Sequence, residues 1–183
     1  MPNHVINVLR APHRVIEALK GPEDAVDFNQ IVPQPANIEQ GGCSGRHDPG
    51  VVCWYEWNTA NWGTKWNAYS IETDQDVLES VTGDGTVAKL NRDIISTVKF
   101  DTAWAHPDQI IKALSERFPT DQIEVMYADE DLGYNYGLYS ILNGVMVVGG
   151  VEPFGRGTNE AKDFAAYMKY GRSYEEILKE WDE

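Results

Sequence analysis

Cysteine, basic residues and long apolar runs are all scarce in this 183-residue chain. Two cysteines are too few for the disulfide framework of a small secreted protein. No apolar run approaches the roughly 18 residues that indicate a membrane-spanning helix, so we expect no membrane association. The N-terminus lacks the basic and apolar regions of a signal peptide. Together these absences favour a protein of the cytoplasm.

Negative charge dominates, because 29 Asp and Glu residues face only 15 Lys and Arg residues, for a net charge of -14. This charge repels a phosphate backbone, so we expect no direct binding of nucleic acid. The plain interpretation is a soluble protein whose copies repel one another. A more specific alternative is that the acidic surface resembles nucleic acid and blocks a basic partner protein. The apolar fraction of 42% is enough for a core, and the length favours one domain.

The apolar patterns follow one another as strand, helix, strand, strand, helix and strand. Their ranges are 4–10, 12–28, 64–72, 93–101, 107–118 and 122–128. This order predicts an α+β fold with a ferredoxin-like βαββαβ core, in which helices cover one face of an antiparallel sheet. Asn143-Gly144 between two apolar runs predicts an added β-hairpin over 134–151. A short helix is expected over 73–80.

Two further helices are predicted near the C-terminus. An apolar stripe from Ala161 to Met168 indicates the first helix, which Gly171 ends. Ser173 and Glu176 form a capping box at the start of the second. We therefore divide the chain into a ferredoxin-like domain with a Trp-rich insertion, residues 1–158, and a C-terminal helical extension, residues 159–183, packed on the same domain.

Four of the six tryptophans lie between Trp54 and Trp66. In a structural interpretation Trp62 and Trp66 fix a turn on the sheet, and Lys65 lies over a ring. In a functional interpretation the segment is a recognition surface, because Trp and Tyr are frequent at the energetic centres of interfaces. The residues that we expect to carry binding are Trp54, Trp57, Asn61, Trp62, Lys65, Trp66, Tyr69, Tyr134 and Tyr136.

The loop-like segment 34–53 contains both cysteines and a histidine. Cys43, His47 and Cys53 could bind zinc, although a fourth ligand is not evident. The two cysteines could also form a disulfide, or one could act as a nucleophile with His47 as base. Unpaired thiols are the plainest interpretation. We therefore predict no metal site, no cofactor and no catalytic residue.

The acidic and histidine residues that could bind a metal or catalyse a reaction favour structural or solvent-exposed roles. The run Asp129-Glu130-Asp131 could hold a hard cation but favours a solvated turn. The histidines His4, His13, His47 and His106 are scattered along the chain, and each favours a structural role. No glycine-rich phosphate loop follows a predicted strand.

Several motifs occur in an order that resembles a known family. They are Met1-Pro2-Asn3-His4, Ile31-Val32-Pro33-Gln34-Pro35, Trp54-Tyr55-Glu56-Trp57, Asn61-Trp62-Gly63-Thr64-Lys65-Trp66-Asn67-Ala68-Tyr69, Phe100-Asp101-Thr102-Ala103-Trp104 and Tyr134-Asn135-Tyr136-Gly137. Over roughly residues 1–150 the chain resembles the YubB ferredoxin-like family, whose members are small proteins carried by phages and plasmids. The resemblance implies a ferredoxin-like core and a mobile-element origin. It implies no activity, and the helices after residue 159 lie outside it.

We therefore expect an accessory protein of a phage or plasmid that acts in the cytoplasm of the host cell. Its function would be non-enzymatic binding of a host or phage-encoded protein, in host interaction or counter-defence. The alternative is a small-molecule or nucleotide-binding protein, with or without enzymatic activity. That alternative would use a cleft between the segment 34–62 and the sheet.

Overall fold

A computed structural model describes residues 3–39, 41, 50–73 and 94–181. The strands are β1 His4–Pro12, β2 Ile38–Glu39, β3 Val52–Cys53, β4 Tyr69–Thr73, β5 Ile95–Ala103, β6 Ile123–Asp129, β7 Tyr136–Leu142 and β8 Val145–Val151. The helices are α1 His13–Glu17, α2 Trp54–Asn61, α3 Asp108–Arg117, α4 Asn159–Tyr170 and α5 Tyr174–Trp181. Short 3-10 turns occupy Pro22–Asp24 and Phe28–Gln30. Within these ranges no helix is long and apolar enough to cross a membrane.

The main sheet has six strands in the order β4-β5-β1-β6-β7-β8, and every neighbouring pair is antiparallel. The elements β1, α1, β4, β5, α3 and β6 form the ferredoxin-like βαββαβ core. The hairpin β7–β8 extends the sheet beyond β6. The predicted α+β fold class is therefore confirmed. The strands β2 and β3 form a separate parallel pair.

Helices cover both faces of the sheet, whereas the sequence predicted helices on one face. Successive strand residues point to opposite faces, so Tyr127 and Ala128 of β6 mark the two sides. Tyr127 belongs to the main core with Ile110 of α3. Ala128 belongs to a second cluster with Ala161 of α4. The sequence indicated the apolar stripe of α4, in which Ala161 and Ala165 are buried beside Phe164 and Met168, but it did not indicate which face of the sheet the stripe covers.

The helical range predicted over 12–28 was expected to break at Gly21-Pro22 and to continue as a second short turn or helix, and the structure has this interruption. Helix α1 ends at Glu17, and separate turns replace its second half. Gly21 interrupts the helix, and the Asp27 side chain accepts a hydrogen bond from the Asn29 backbone N–H at the start of the second turn. Local capping thus competes with helix propagation.

The second predicted strand, over 64–72, begins only at Tyr69. The preceding residues bond to loops instead of a strand ladder. The Asn67 Oδ1 accepts from the Phe28 backbone N–H at 2.9 Å, and the Asn67 Nδ2 donates to the Asp27 Oδ1 at 2.7 Å. The helix predicted over 73–80 lies outside the described residues, except for its first residue at the end of β4.

The C-terminal helices and the hairpin agree with the prediction. Asn143 and Gly144 both have positive φ, as a tight hairpin turn requires. Gly171 ends α4 in the left-handed conformation at φ +66°. The Glu176 Oε2 accepts from the Ser173 backbone N–H at 2.9 Å, and the Ser173 Oγ accepts from the Glu176 N–H at 3.3 Å, which completes the capping box. The division of the chain at residue 158 stays a prediction.

Candidate functional site

Helix α2 carries the first half of the Trp-rich segment, and the buried Asn58 holds that helix to its neighbours. The Asn58 Oδ1 accepts from the Gln34 Nε2 at 2.6 Å, and its Nδ2 donates to the Lys65 backbone oxygen at 2.9 Å. The chain reverses at Gly63, whose φ of +81° suits glycine. This reversal brings Lys65 back beside the first turn of α2.

Trp62 anchors the segment in the core and is not part of a surface. Its side chain is buried, and its Nε1 donates to the Val32 backbone oxygen at 2.9 Å. The Trp62 ring meets Phe28 at 5.7 Å and Trp57 at 5.6 Å, both edge to face. Trp57 is half-buried against the same core. Trp62 was predicted to bind a partner, but its burial prevents direct contact.

Three aromatic rings surround the ammonium of Lys65 at the protein surface. The Nζ lies 5.0 Å from the ring centroid of Trp66, 5.9 Å from that of Tyr55 and 6.0 Å from that of Trp54. An exposed cation–π contact contributes about 0.5–1 kcal/mol. We call these four residues, Trp54, Tyr55, Lys65 and Trp66, the aromatic–lysine surface.

The Lys65 ammonium has no anionic partner within the described part of the chain. Its recorded interactions are the three ring contacts and the backbone bond from Asn58. In a protein of net charge -14, most cations can find a carboxylate, as Arg14 does with Asp121 at 2.6 Å. Lys65 is instead held among rings, which leaves its charge available to an incoming anion.

A cleft of about 370 Å³ adjoins this surface, and we call it the lysine cleft. Its lining residues are Tyr55, Thr59, Gly63, Thr64, Lys65, Ala103, Trp104 and Ala105. The Thr64 hydroxyl donates to the Ala103 backbone oxygen at 2.9 Å, which ties the Trp-rich segment to the end of β5. The cleft thus lies between that segment and the sheet.

Trp104 forms one wall of the lysine cleft in an unusual backbone conformation. Its φ of 71° is rare for a bulky residue and costs about 1–2 kcal/mol. The Trp104 backbone N–H donates to the Asn3 oxygen at 2.9 Å, and its oxygen accepts from the Asn135 Nδ2 at 3.4 Å. These bonds hold a half-exposed indole at the mouth of the cleft. Sequence reasoning did not select Trp104, because a single Trp after a strand carries no signal of backbone strain.

Two other predicted binding residues, Asn61 and Tyr69, make internal bonds. The Asn61 Nδ2 donates to the Trp57 backbone oxygen at 2.8 Å within α2. The Tyr69 Oη lies 2.9 Å from the His4 Nδ1 and donates to the Thr102 backbone oxygen at 3.2 Å. Burial raises the pKa of Tyr69 to about 12, with the carboxylates of Asp101 and Glu130 contributing. Both side chains are partly buried and outside the aromatic–lysine surface.

The predicted residues Tyr134 and Tyr136 lie at another part of the sheet. Tyr134 is exposed beside Gly157. Tyr136 is fully buried, and its ring packs against Phe154 at 6.1 Å and Phe164 at 5.7 Å. Its hydroxyl donates to the Gly155 backbone oxygen at 3.1 Å. Tyr136 is therefore a core residue under α4, and the structure does not join these tyrosines to the Trp-rich segment.

A second cleft of about 350 Å³ shares Gly63 and Ala105 with the lysine cleft and is lined in part by His106. The His106 Nδ1 donates to the Asn7 Oδ1 at 2.7 Å, and its Nε2 accepts from the Tyr139 hydroxyl at 2.8 Å. We assign these donor roles because Asn7 uses its Nδ2 as a donor elsewhere, to Thr102 at 2.9 Å.

Burial makes His106 a poor acid or base at neutral pH. It lowers the pKa of the imidazole from 6.5 to about 3, so the ring is neutral. Burial likewise raises the pKa of Tyr139. The ring of His106 stacks on Tyr127 at 4.1 Å, and both ring nitrogens are occupied. The network is therefore structural in character, as sequence reasoning expected for His106.

The described residues contain no group of three or more side chains that could hold a metal ion. Cys53 is disulfide-bonded, so the expectation of unpaired thiols was wrong for that residue. The other zinc candidates, Cys43 and His47, lie outside the described residues. Asp129 is buried at the end of β6 and accepts from the Asn135 Nδ2 at 2.8 Å, so the expected solvated turn was wrong for that residue, whereas Asp131 is exposed in the turn that follows.

Comparison with known proteins supports the fold and gives no activity. Residues 87–169 match the family model described as "Ferredoxin-like domain in Api92-like protein". The chain is similar to the crystal structure of a protein api92 from Yersinia pseudotuberculosis, with 19% sequence identity and a TM-score of 0.41. The similarity covers 56% of this chain and 31% of the api92 chain. The chain thus spans less than a third of the length of that relative. No curated protein matches the chain.

The matched range differs from the range that the sequence resemblance suggested. The resemblance was expected over roughly residues 1–150, whereas the family model matches 87–169 and includes most of α4. The Trp-rich segment lies outside that match. The family description states a ferredoxin-like fold, and the YubB name and the phage or plasmid origin stay predictions.

Proposed function

We propose that this chain is a non-enzymatic protein-binding module, an accessory protein of a phage or plasmid that engages a host or element-encoded protein. The aromatic–lysine surface supports this proposal best. Tyr55 is 46% exposed and Trp66 is 38% exposed, and both rings lie close to the Lys65 ammonium, which has no carboxylate partner among the described residues. Large half-exposed aromatic side chains are typical centres of protein interfaces.

Rigidity of the surface adds support. Trp62 is fixed in the core and the neighbouring Trp57 packs against it, so the helix that presents Trp54 and Tyr55 is anchored. The Asn58 bridge fixes the return of Lys65. A surface that is ordered before binding loses little conformational entropy when a partner docks. His106 is neutral and both of its ring nitrogens have partners, which agrees with a structural role for this residue in a binding module.

The origin and the compartment are part of the proposal and rest on the sequence resemblance. We propose that the protein acts in the cytoplasm of the host cell. The disulfide of Cys53 is unusual for that compartment. Alkylation of thiols in freshly lysed host cells therefore tests the compartment. A reduced Cys53 would support the cytoplasm, where the disulfide seen in the structure is not maintained, and an oxidised Cys53 would favour an oxidising compartment.

A pull-down from host lysate with the full chain tests the protein-binding proposal. The informative variant combines Tyr55→Ala with Trp66→Ala, because both rings are exposed and their removal leaves the core intact. Tyr167→Ala is the control, since Tyr167 is an exposed ring on α4 and is not part of the aromatic–lysine surface. If the native chain retains a host protein, we expect the double variant to lose that protein and the control variant to retain it. Retention by both variants, with folding shown by circular dichroism, would contradict the proposal.

A second candidate function is small-molecule binding in the lysine cleft. The observation that favours it is the cleft itself, which has a volume of about 370 Å³ and lies between the Trp-rich segment and the sheet. Small-molecule sites in proteins are typically concave, mostly apolar and about 300–1,000 Å³ in volume.

A further inference from the structure

Among the described residues that line the lysine cleft, one is charged, and that residue is a cation. Lys65 stands among two threonines, two alanines, one glycine and two aromatic residues. The chain as a whole carries 29 acidic and 15 basic residues, so a lining without any carboxylate contrasts with the rest of the protein. A local positive charge in an acidic protein favours an anionic occupant.

Two aromatic walls flank this cation. Tyr55 and Trp104 both line the cleft, and their side chains are 46% and 50% exposed. Trp104 is kept there in a strained backbone conformation by its bonds to Asn3 and Asn135. Strain of this kind in a residue at a cleft is often related to binding. Aromatic walls favour a planar occupant that can stack or pack edge to face.

The floor of the cleft is closely packed at Gly63, and the carboxylate of Asp108, which lines the neighbouring cleft, lies against that glycine. A side-chain carbon at Gly63 would collide with the Asp108 carboxylate, so only glycine fits there. The Thr64 hydroxyl is already used by the Ala103 backbone oxygen. The floor therefore provides shape and apolar contact, while the Lys65 ammonium provides the charge.

We propose that the lysine cleft binds a planar small anion, either an aromatic carboxylate or a nucleoside monophosphate. Its anionic group pairs with the Lys65 Nζ, and its ring contacts Tyr55 and Trp104. The volume of about 370 Å³ suits a molecule of this size. A net charge of -14 repels a polyanion such as nucleic acid much more strongly than it repels a small anion. The inference develops the second candidate function and does not need the protein-binding proposal.

Calorimetry and tryptophan fluorescence with four probes test this inference on the full chain. The planar anions are 2-naphthoate and AMP, which distinguish the carboxylate from the nucleoside phosphate. Adenosine is planar and neutral, and inorganic phosphate is an anion without a ring. We expect at least one planar anion to bind at least about tenfold more tightly than both adenosine and inorganic phosphate, because loss of a charged partner costs about this factor. The binding should weaken as salt rises.

Variants of Lys65 separate the charge from the packing. Lys65→Met keeps a long apolar side chain over the rings and removes the ammonium, so we expect affinity for the planar anion to fall about tenfold. Lys65→Arg keeps the charge and should retain most of the affinity. Lys112→Met is the control, because Lys112 is an exposed lysine on α3 whose recorded ion pair is with Glu116. Trp104→Gly relieves the strained φ and removes the ring. A loss of affinity in this variant shows that the Trp104 ring contacts the bound anion.

Three results would overturn the inference. One is the absence of binding by both planar anions at millimolar concentration. Another is an affinity for AMP equal to that for adenosine together with an affinity for 2-naphthoate no higher than that for adenosine or inorganic phosphate. The last is unchanged anion affinity in a folded Lys65→Met protein. None of these readouts includes a partner protein, so failure here is distinguishable from failure of the pull-down.

Discussion

The Lys65 ammonium lies 5.0 Å from the centroid of the Trp66 ring, only one residue away in sequence. The same ammonium also approaches Trp54 and Tyr55, which lie on the first turn of α2. A short reversal at Gly63 is enough to bring these residues together. The Trp-rich segment therefore has an inner side, centred on Trp62, and an outer side, centred on Lys65. Trp62 therefore packs in the core, whereas the rings of Trp54 and Trp66 lie beside the Lys65 ammonium.

Substitution of the inner and outer tryptophans should have very different effects on stability. Trp62→Ala removes a fully buried ring and its hydrogen bond to Val32, so we expect a loss of about 3–5 kcal/mol in the free energy of unfolding. Trp66→Ala removes an exposed ring and should cost about 1 kcal/mol or less. Urea denaturation followed by circular dichroism measures both. Equal losses would show that the inner and outer sides are not distinct.

Acidification should destabilise the protein through His106. The folded-state pKa is about 3, below the unfolded value of 6.5, so the unfolded state binds the proton first. Stability is therefore complete above about pH 6.5 and falls between pH 6.5 and 3, by up to about 1.4 kcal/mol per pH unit.

His106→Gln keeps a neutral polar side chain and removes the titration. Urea midpoints measured from pH 7 to pH 4 should then depend less on pH in the variant than in the native protein. Parallel curves for the two proteins would mean that His106 is accessible to protons in the folded state.

Gly63 should tolerate no side chain. Gly63→Ala places a carbon against the Asp108 carboxylate at a φ of +81°, so we expect a loss of about 1–3 kcal/mol and a weaker lysine cleft. Gly150→Ala is the matched control, because open space surrounds that position and its φ is not positive. Thermal denaturation should separate the two variants by several degrees. Similar melting temperatures would contradict the close approach at Gly63.

Strand β8 should promote self-association through its side chains. Its seven residues carry no charge, and Val145, Val148 and Val151 are each more than 60% exposed. Exposed apolar edge strands favour association. We expect Val148→Lys to leave stability within about 0.5 kcal/mol and to lower association measured by light scattering at high salt. Thr97→Lys, a substitution at a half-buried position on β5, controls for added charge.

The sequence predicted the core fold because local patterns specify it. Strand alternation, the Asn143-Gly144 turn and the capping box at Ser173 are short-range signals, and each is present in the structure. Helix α2 was missed because its only buried residue is the polar Asn58, so it lacks an apolar stripe. Its position depends on bonds to Gln34 and Lys65 that no periodicity reveals.

The candidate site was predictable only in part, because burial depends on distant contacts. Lys65 and Trp66 were predicted to carry binding and do lie in contact, while their role in binding stays a prediction. Tyr136 resembles any strand tyrosine in the sequence, and α4 covers it only after folding. His106 meets Asn7 across 99 positions of the chain. Such pairs follow from the register of the sheet, which the sequence indicates only indirectly.

The bulge in β8 limits how far this sheet can grow. Met146 pairs with Ile141 and Val148 with Ser140, so Val147 is an extra residue, and Gly149 two positions later has a φ of +77°. Two irregularities this close distort the outer backbone edge, and a straight neighbouring strand could not match it along its length. Contacts between copies at this edge would therefore remain few and reversible, and ordered fibres would not propagate from it.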